Sequence, residues 1–225
     1  GVARYCAASP EAAAQLVRRG AEADAVLATG IPVRTALAAS FHTGSRGQSR
    51  SRARRVLVIG GGLGLGPIAA AVDALLSLPQ PDLQVTVICG RNETLLSQIR
   101  RRHGGDPRLT ALGFTDEIVD HMRAADLLVT KPGGITCAEA LALGLPLLLI
   151  DPLPGHEEEN AAYLAGTGAA LVVGRNRVAD AAHELLFRHP ERLAAMAAAA
   201  RRAGYPASAL TIAAEVLTLA DSTRA

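Results

Sequence analysis

Lysine is nearly absent from this chain: Lys131 is the single lysine among 23 basic residues, a bias that reads as genome composition rather than as phosphate chemistry. Cysteine is scarce too. Cys6, Cys89 and Cys137 are odd in number, widely spaced and without a Cys-x-x-Cys pair, which excludes a disulfide framework and points to a reducing cytoplasmic setting without a metal. Cys89 ends an apolar run and Cys137 lies in a helical pattern, so both read as small core residues. Neither sign of charge is in excess: 23 Lys and Arg against 21 Asp and Glu leave a net charge of +2, too little to imply a nucleic-acid partner. No apolar run approaches the roughly 20 residues that span a bilayer, and the opening GVARYCAASPEAAAQL lacks the charged-then-apolar order of a signal peptide. His42, His103, His121, His183 and His189 have no mutual spacing that would make a metal site or a triad, and each reads as structural or exposed.

What is present is enough apolar material for a full core: 49% of 225 residues, a length suited to one large domain or to one domain with a piece of another. Ser9-Pro10-Glu11 is a cap followed by proline at the first helical position, which predicts a helix to about Arg19 that Gly20 stops. A short strand is expected over 25–29. Ser40 to Arg55 breaks all periodicity, with Ser45, Gly47, Gln48 and Ser49 set among Arg46, Arg50, Arg52, Arg54 and Arg55, the composition of a mobile basic linker. It reads as a solvated loop; the alternative is contact with anionic lipid headgroups, to which each arginine would contribute about 1 kcal/mol. From Arg55 onward apolar runs alternate with helical patterns. Strands are expected near 55–60, 83–89, 108–112, 126–130, 146–150 and 169–173, and C-terminal helices near 176–188, 190–203 and 207–220. Such alternation predicts an α/β fold, a Rossmann-like parallel sheet with helices on both faces and the ligand at the carboxyl ends of the strands.

The segment TKPGGITCAEALALGLPLLLIDPLPGHEEENAAYL, Thr130 to Leu164, carries most of the chemistry. Leu127 to Val129 read as a strand, Pro132-Gly133-Gly134 as a turn, and Ile135 to Leu143 as a helix ended by Gly144. Unpaired N–H groups at that helix start, with the helix dipole behind them, suit a phosphate held at Gly133, Gly134 and Thr136. Glu139 lies about one turn further, where a carboxylate can accept from both hydroxyls of a ribose. Downstream, His156, Glu157 and Asn160 offer acceptors and an amide suited to a hexose, and Glu157 and Asn160 are three apart on one helix face, able to reach a single sugar. Glu158 and Glu159 read as solvent-facing, and Asp151, just before Pro152, suits capping a turn as well as touching ligand. The glycine loop from Gly60 to Pro67 follows a strand and precedes a helix, yet its spacing is neither G-x-G-x-x-G nor G-x-x-x-x-G-K, which argues against ordinary NAD binding and against an ATPase. Gly61 and Gly62 can still let backbone amides approach a diphosphate or leave room for an acceptor headgroup, with plain turn geometry as the alternative. Gly113-Phe114-Thr115 closes another strand at the same sheet end, where Phe114 reads as core packing ahead of base stacking.

Taken together, Gly30-Ile-Pro-Val-Arg34, Gly60-Gly-Gly-Leu-Gly-Leu-Gly-Pro67, Ile88-Cys-Gly-Arg-Asn92, Gly113-Phe-Thr-Asp-Glu-Ile118 and the 130–164 block resemble the family 28 glycosyltransferases, which have the GT-B fold. The nearest pattern is that of monogalactosyldiacylglycerol synthases and processive diacylglycerol glucosyltransferases, and the match runs in the family's order over about residues 1–175. The resemblance implies that residues 1–40 are the remnant of an N-terminal acceptor-side domain, 41–54 a flexible basic linker, and 55–225 a C-terminal UDP-sugar-binding domain with C-terminal helices. It implies a hexosyltransferase of glycolipid synthesis with a UDP-sugar donor, a lipid acceptor such as diacylglycerol, no cofactor, and a cytoplasmic place that includes peripheral association with an anionic inner membrane face. Arg34 is implied near the donor phosphates, where a guanidinium would neutralise the departing UDP; its alternative is a surface residue. Backbone groups at Thr115 are implied to hold the uracil, with Phe114 beside them. The catalytic base is implied to lie in the N-terminal domain, so no catalytic residue is assigned. His156 departs from the family's glutamine and leaves glucose, galactose and N-acetylglucosamine open. The alternatives are a non-catalytic UDP-sugar-binding module, a UDP-N-acetylglucosamine 2-epimerase, whose pattern fits the PGG-x-T and PGxEE-x-N segments less well, and an enzyme like the N-acetylglucosaminyltransferase of lipid II synthesis.

Overall fold

The computed structural model describes residues 2–42, 53–60 and 67–222. Strands β1 (Tyr5–Ala7) and β2 (Val26–Ala28) pair in parallel around helix α1 (Pro10–Arg18). Ser9 caps α1 as expected, accepting the Ala12 amide at 3.2 Å, and Gly20 leaves it at φ 96°. Strand β1 is an addition to the expected elements, too short to show an alternation of its own. A 3₁₀ segment, Thr35–His42, follows. Residues 43–52 of the expected linker lie outside the described residues; of its boundary positions, Phe41 and His42 belong to the 3₁₀ segment and Arg54 opens β3 (Arg54–Ile59), paired with Leu83.

From there the chain runs α2 (Ile68–Leu76), β4 (Leu83–Ile88), α3 (Glu93–His103), β5 (Leu109–Leu112), α4 (Ile118–Ala124), β6 (Leu127–Thr130), α5 (Gly134–Ala142), β7 (Leu147–Ile150), α6 (His156–Gly166) and β8 (Ala170–Val173). The six strands β3 to β8 form one parallel sheet in the order β5-β4-β3-β6-β7-β8. Unbroken runs such as Leu127-Leu128-Val129 and Leu147-Leu148-Leu149-Ile150 are buried along their whole length, because a parallel sheet is covered on both faces and needs no polar alternation. Alternation survives only in which face each residue enters. Val56 and Val58 pack with Ile68, Val72 and Leu75 of α2 on one side, and Leu57 and Ile59 pack with the layer of Cys137, Ala140 and Leu164 on the other. Cys89 and Cys137 are both buried small core residues, as the sequence implies.

The chain ends in α7 (Val178–His183), which runs on as a π-turn over Glu184–Arg188, then α8 (Pro190–Ala203) and α9 (Ser208–Ser222). Ala199 and Ala200 of α8 are buried against the α5 side of the sheet, the close approach that a run of alanines permits. By length and composition alone the stretch Pro190–Asp221 passes for a membrane span, but it is two helices, α8 and α9, parted at residues 204–207, and it holds no unbroken apolar run of that length. A search for unbroken apolar runs passes over it, because its hydropathy comes from alanines scattered among polar residues.

Candidate functional site

Between β3 and β6 the strand order reverses, the point at which an open parallel sheet offers a ligand crevice at the carboxyl ends of its strands. Thr130, the buried last residue of β6, donates its hydroxyl to the Ile59 carbonyl at 2.8 Å and ties the two strand ends together. Beyond it the Gly133 amide donates to the Lys131 carbonyl at 2.7 Å, and α5 starts at Gly134 with no side chain capping it. Among the described residues nothing caps its first amides, which leaves them for solvent or an anion, with the helix dipole favouring the latter. Gly133 has φ −76°, and among the described residues no atom stands within 4 Å of where a Cβ would be. The chain's own packing does not call for glycine there, and the bare backbone suits a phosphate that must come close. Gly134 is more confined, with its Cβ position 3.3 Å from Ile31 Cδ1, and Thr136 is half-buried on the same turn.

Glu139 is 3% exposed. Its Oε1 accepts from Arg34 Nη1 at 2.8 Å. Burial pushes the carboxyl pKa up and the Arg34 charge recovers only part of that, so it stays above the usual carboxylate range. Arg34 reaches α5 from the segment after β2, and its side chain is half exposed. The residue expected at the ribose and the residue expected at the phosphates thus meet each other directly, across 105 positions of sequence.

The residues expected at a hexose are arranged differently from the sequence reading. Glu157 Oε1 pairs with Lys131 Nζ at 2.8 Å and its Oε2 accepts the Leu153 amide at 3.2 Å. Asn160 Nδ2 donates to the Pro132 carbonyl at 3.1 Å. Both side chains therefore reach back from α6 to the turn before α5. Desolvation is the largest influence on Glu157 and raises its pKa, but the Lys131 hydrogen bond, the Leu153 amide and the Lys131 charge together outweigh it and leave the carboxyl below its ordinary value. Lys131, read from composition as unremarkable, is the partner the sequence analysis missed; a lone lysine beside a glycine turn is the signal that was available. His156 is fully exposed and faces Glu159 at 3.8 Å. Glu158 accepts the Gly155 amide at 3.3 Å. Asp151, at φ 40°, accepts the Arg175 amide at 3.0 Å and pairs with its guanidinium, so of its two readings the turn-fixing one describes the contacts it makes.

Phe114 is not core: it is 58% exposed, with the Arg91 guanidinium 5.4 Å from its ring centroid. It ends a strand that stops at the sheet's edge, so its ring projects from the carboxyl end, and the Arg91 charge over the π-face holds it there. Thr115 Oγ1 accepts the Glu117 amide at 3.1 Å, closing the same turn. Gly61 and Gly62 lie outside the described residues. A cavity of about 230 Å³ runs from Pro132 and Asn160 between α1, α5 and α6, with Ser9, Ile31, Tyr163 and Tyr205 in its walls. Among the described residues no group of three His, Cys, Asp or Glu side chains converges as a metal site.

Processive diacylglycerol beta-glucosyltransferase of Bacillus cereus (strain AH187) is 33% identical over 200 residues, which is 87% of this chain and 51% of that protein. The chain thus spans about half the length of the curated relatives it matches. Among solved structures, UDP-GlcNAc 2-epimerase from Neisseria meningitidis bound to UDP-GlcNAc superposes with a TM-score of 0.71 at 17% identity, covering 96% of this chain and 61% of that one. Acinetobacter baumannii MurG superposes with a TM-score of 0.64 at 21% identity, covering 92% and 64%. These two show the shared fold. The glycosyltransferase family 28 C-terminal domain matches residues 55–211, which takes in the whole six-stranded sheet, the turn before α5, Glu139, Glu157 and Asn160, and on that match the chain belongs to glycosyltransferase family 28.

Proposed function

We propose that this chain binds a UDP-hexose and that the protein it belongs to transfers the hexose to a lipid hydroxyl, diacylglycerol foremost, at the inner face of the cell membrane. The observation that carries the reading is Glu139, a buried carboxylate one turn beyond an uncapped helix start, at the point where the strand order reverses. A nucleoside diphosphate needs that pairing of an acidic acceptor for ribose with bare amides for phosphate. The hexose and the lipid come from the name of the relatives, processive diacylglycerol beta-glucosyltransferase.

In this reading the amides of the Gly133-Gly134 turn take the diphosphate, Arg34 moves from Glu139 to the phosphates, and Glu139 is released to the ribose hydroxyls. Glu157 and Asn160 hold the hexose, and Thr115 backbone groups take the uracil beside Phe114. The acceptor oxygen bonds to C1 of the hexose as the C1–O bond to UDP breaks. The acceptor proton leaves to a base outside the residues assigned here. Negative charge building on the departing UDP meets the start of α5 and Arg34 once it has turned to the phosphates.

The test is thermal stabilisation by nucleotides. A ligand at 100 times its Kd adds about 2.7 kcal/mol, worth roughly 5 to 10 °C in melting temperature for a chain of this size. UDP should stabilise more than ADP or GDP, and equal stabilisation by ADP would refute the uridine assignment.

A further inference from the structure

Glu157 and Asn160 both turn toward the segment Lys131-Pro132-Gly133-Gly134, through two separate contacts. One is a side-chain amide on a main-chain carbonyl, Asn160 Nδ2 to Pro132 O at 3.1 Å; the other is an ion pair, Lys131 Nζ to Glu157 Oε1 at 2.8 Å. The other oxygen of Glu157 is taken by the Leu153 amide, so the carboxylate is gripped from both ends and its plane is fixed. Lys131 and Glu157 side chains are 28% and 18% exposed. The pair therefore lies mostly out of water, where such contacts hold geometry better than they do at the surface. It also joins the turn whose amides face the phosphate position to the first turn of the helix that carries the hexose candidates.

We infer that Lys131 is a positioning residue: its ammonium sets the orientation of the Glu157 carboxylate toward the hexose and locks the sugar-side helix to the phosphate-side turn. The inference rests on the donor reading above. A carboxylate accepts from sugar hydroxyls along particular lone-pair directions, and holding one oxygen on Lys131 and the other on Leu153 N–H leaves the remaining lone pair of each as the acceptor. An arginine would bring a planar fork in place of a compact ammonium. The chain uses arginine everywhere else a base is needed and lysine at this one place.

The experiment is calorimetric titration of the full chain with UDP and with UDP-glucose, for wild type, Lys131→Met, Lys131→Arg, Glu157→Gln and the Lys131→Met/Glu157→Gln double variant. Lys131→Met is expected to weaken UDP-glucose about tenfold, the scale of one lost charged hydrogen bond, while moving UDP less than about twofold. Lys131→Arg, which keeps the charge but not the compact ammonium, is expected to recover only part of the loss, and the double variant to be no weaker than Glu157→Gln alone, because the two residues act as one unit. Equal losses for UDP and UDP-glucose would mean that Lys131 meets the diphosphate itself, and additive losses would mean that it acts apart from Glu157; either result overturns the inference. A measurement on the unsubstituted sequence guards against misfolded variants. Reductive ¹³C-methylation labels one side-chain amine, since Lys131 is the single lysine, and its resonance is expected to move with UDP-glucose and hardly with UDP. A larger response to UDP overturns the inference as well. Wild type that binds neither nucleotide would instead overturn the donor reading together with everything built on it, an outcome seen before any variant is compared.

Discussion

Opposite ends of the six-stranded sheet each hold an arginine against a carboxylate, and the two pairs differ in what surrounds them. At the amino end, Arg108 gives Nη2 to Asp106 Oδ2 at 2.8 Å and to the Leu76 carbonyl at 2.6 Å, while its Nη1 reaches the Leu78 carbonyl at 2.7 Å. Asp106 also accepts the Arg108 amide at 2.9 Å. The Arg108 side-chain and backbone bonds hold the Asp106 carboxyl at a pKa of about 2. At the carboxyl end, Glu139 takes one bond from Arg34 and its pKa is raised, because burial outruns its partner. The first pair uses its hydrogen-bonding capacity on the chain itself, stitching the end of α2 to the start of β5. The second, among the described residues, has acceptor capacity left over in a buried place, which suits the ribose hydroxyls of the proposed donor.

The largest effect expected from this contrast is on stability. Arg108→Met strips a charged donor from three carbonyls, Leu76, Leu78 and Gln80, and from Asp106 and should cost roughly 2 to 4 kcal/mol, a fall of roughly 5 to 15 °C in melting temperature, with UDP affinity unchanged below the transition. Arg34→Met removes the half-exposed partner of a buried carboxyl whose pKa is already raised and which can take up a proton in its place, so it should stay within about 1 kcal/mol of wild type by urea titration. Comparable losses from both would erase the distinction.

Next in size is the reciprocal test on binding. Glu139→Ala removes two charge-assisted bonds to ribose, each worth roughly 1.5 to 3 kcal/mol, so UDP affinity should fall at least tenfold with the melting temperature little changed. An unaltered Kd in a folded variant would take Glu139 out of the site.

The pH dependence should separate the pairs by sign. Asp106 has a lowered folded pKa, so its contribution is present above 3.8 and lost as pH falls toward about 2. Glu139 has a raised one, so its contribution is complete below 4.5 and lost as pH climbs through the folded value. In urea midpoints measured against pH, Asp106→Asn should fall behind wild type as pH rises out of the acid range, whereas Glu139→Gln should draw ahead of wild type above 4.5. Gaps of the same sign would contradict the assignment.

The smallest expected effect is at His156. Its imidazole is fully exposed and turned to Glu159, so His156→Gln should leave the fold untouched and change the ratio of UDP-glucose to UDP-galactose affinity by less than about threefold, the range of one weak neutral hydrogen bond. A large change would mean that the side chain swings inward when sugar binds.

Much of the architecture was legible because parallel strands announce themselves as apolar runs: β3 to β8 fall within about a residue of the expected spans. The short β1 was not, since three residues hold no period. Residue types in the site were legible for a different reason, the chemistry of glycine, carboxylate and amide at fixed spacing. Who touches whom was not. Arg34 meets Glu139 and Lys131 meets Glu157 because loops turn in particular ways, among them Gly155 at φ 93° and Asp151 at φ 40°, and such turns are tertiary facts with no periodic signature. Phe114 shows the same limit: an aromatic after a strand reads as core until the strand is seen to end at an edge with Arg91 over the ring.

Between the two sheets the polypeptide passes twice, once over Gly30 to Val33 and once over Gly204 to Ser208. The Ser208 hydroxyl fastens the passages together, donating to the Ile31 carbonyl at 2.8 Å and accepting the Val33 amide at 3.2 Å. Gly30, at φ 80°, lies so near Tyr205 that a Cβ would collide with the ring, and a Cβ on Gly204 would strike the Leu141 carbonyl. The two passages are thus held against each other by one hydroxyl and by two glycines that leave no room for a side chain. Ile31 and Tyr205, which take part in these contacts, also line the cavity between α1 and α5, so the place where the two passages are joined is also the wall of the opening.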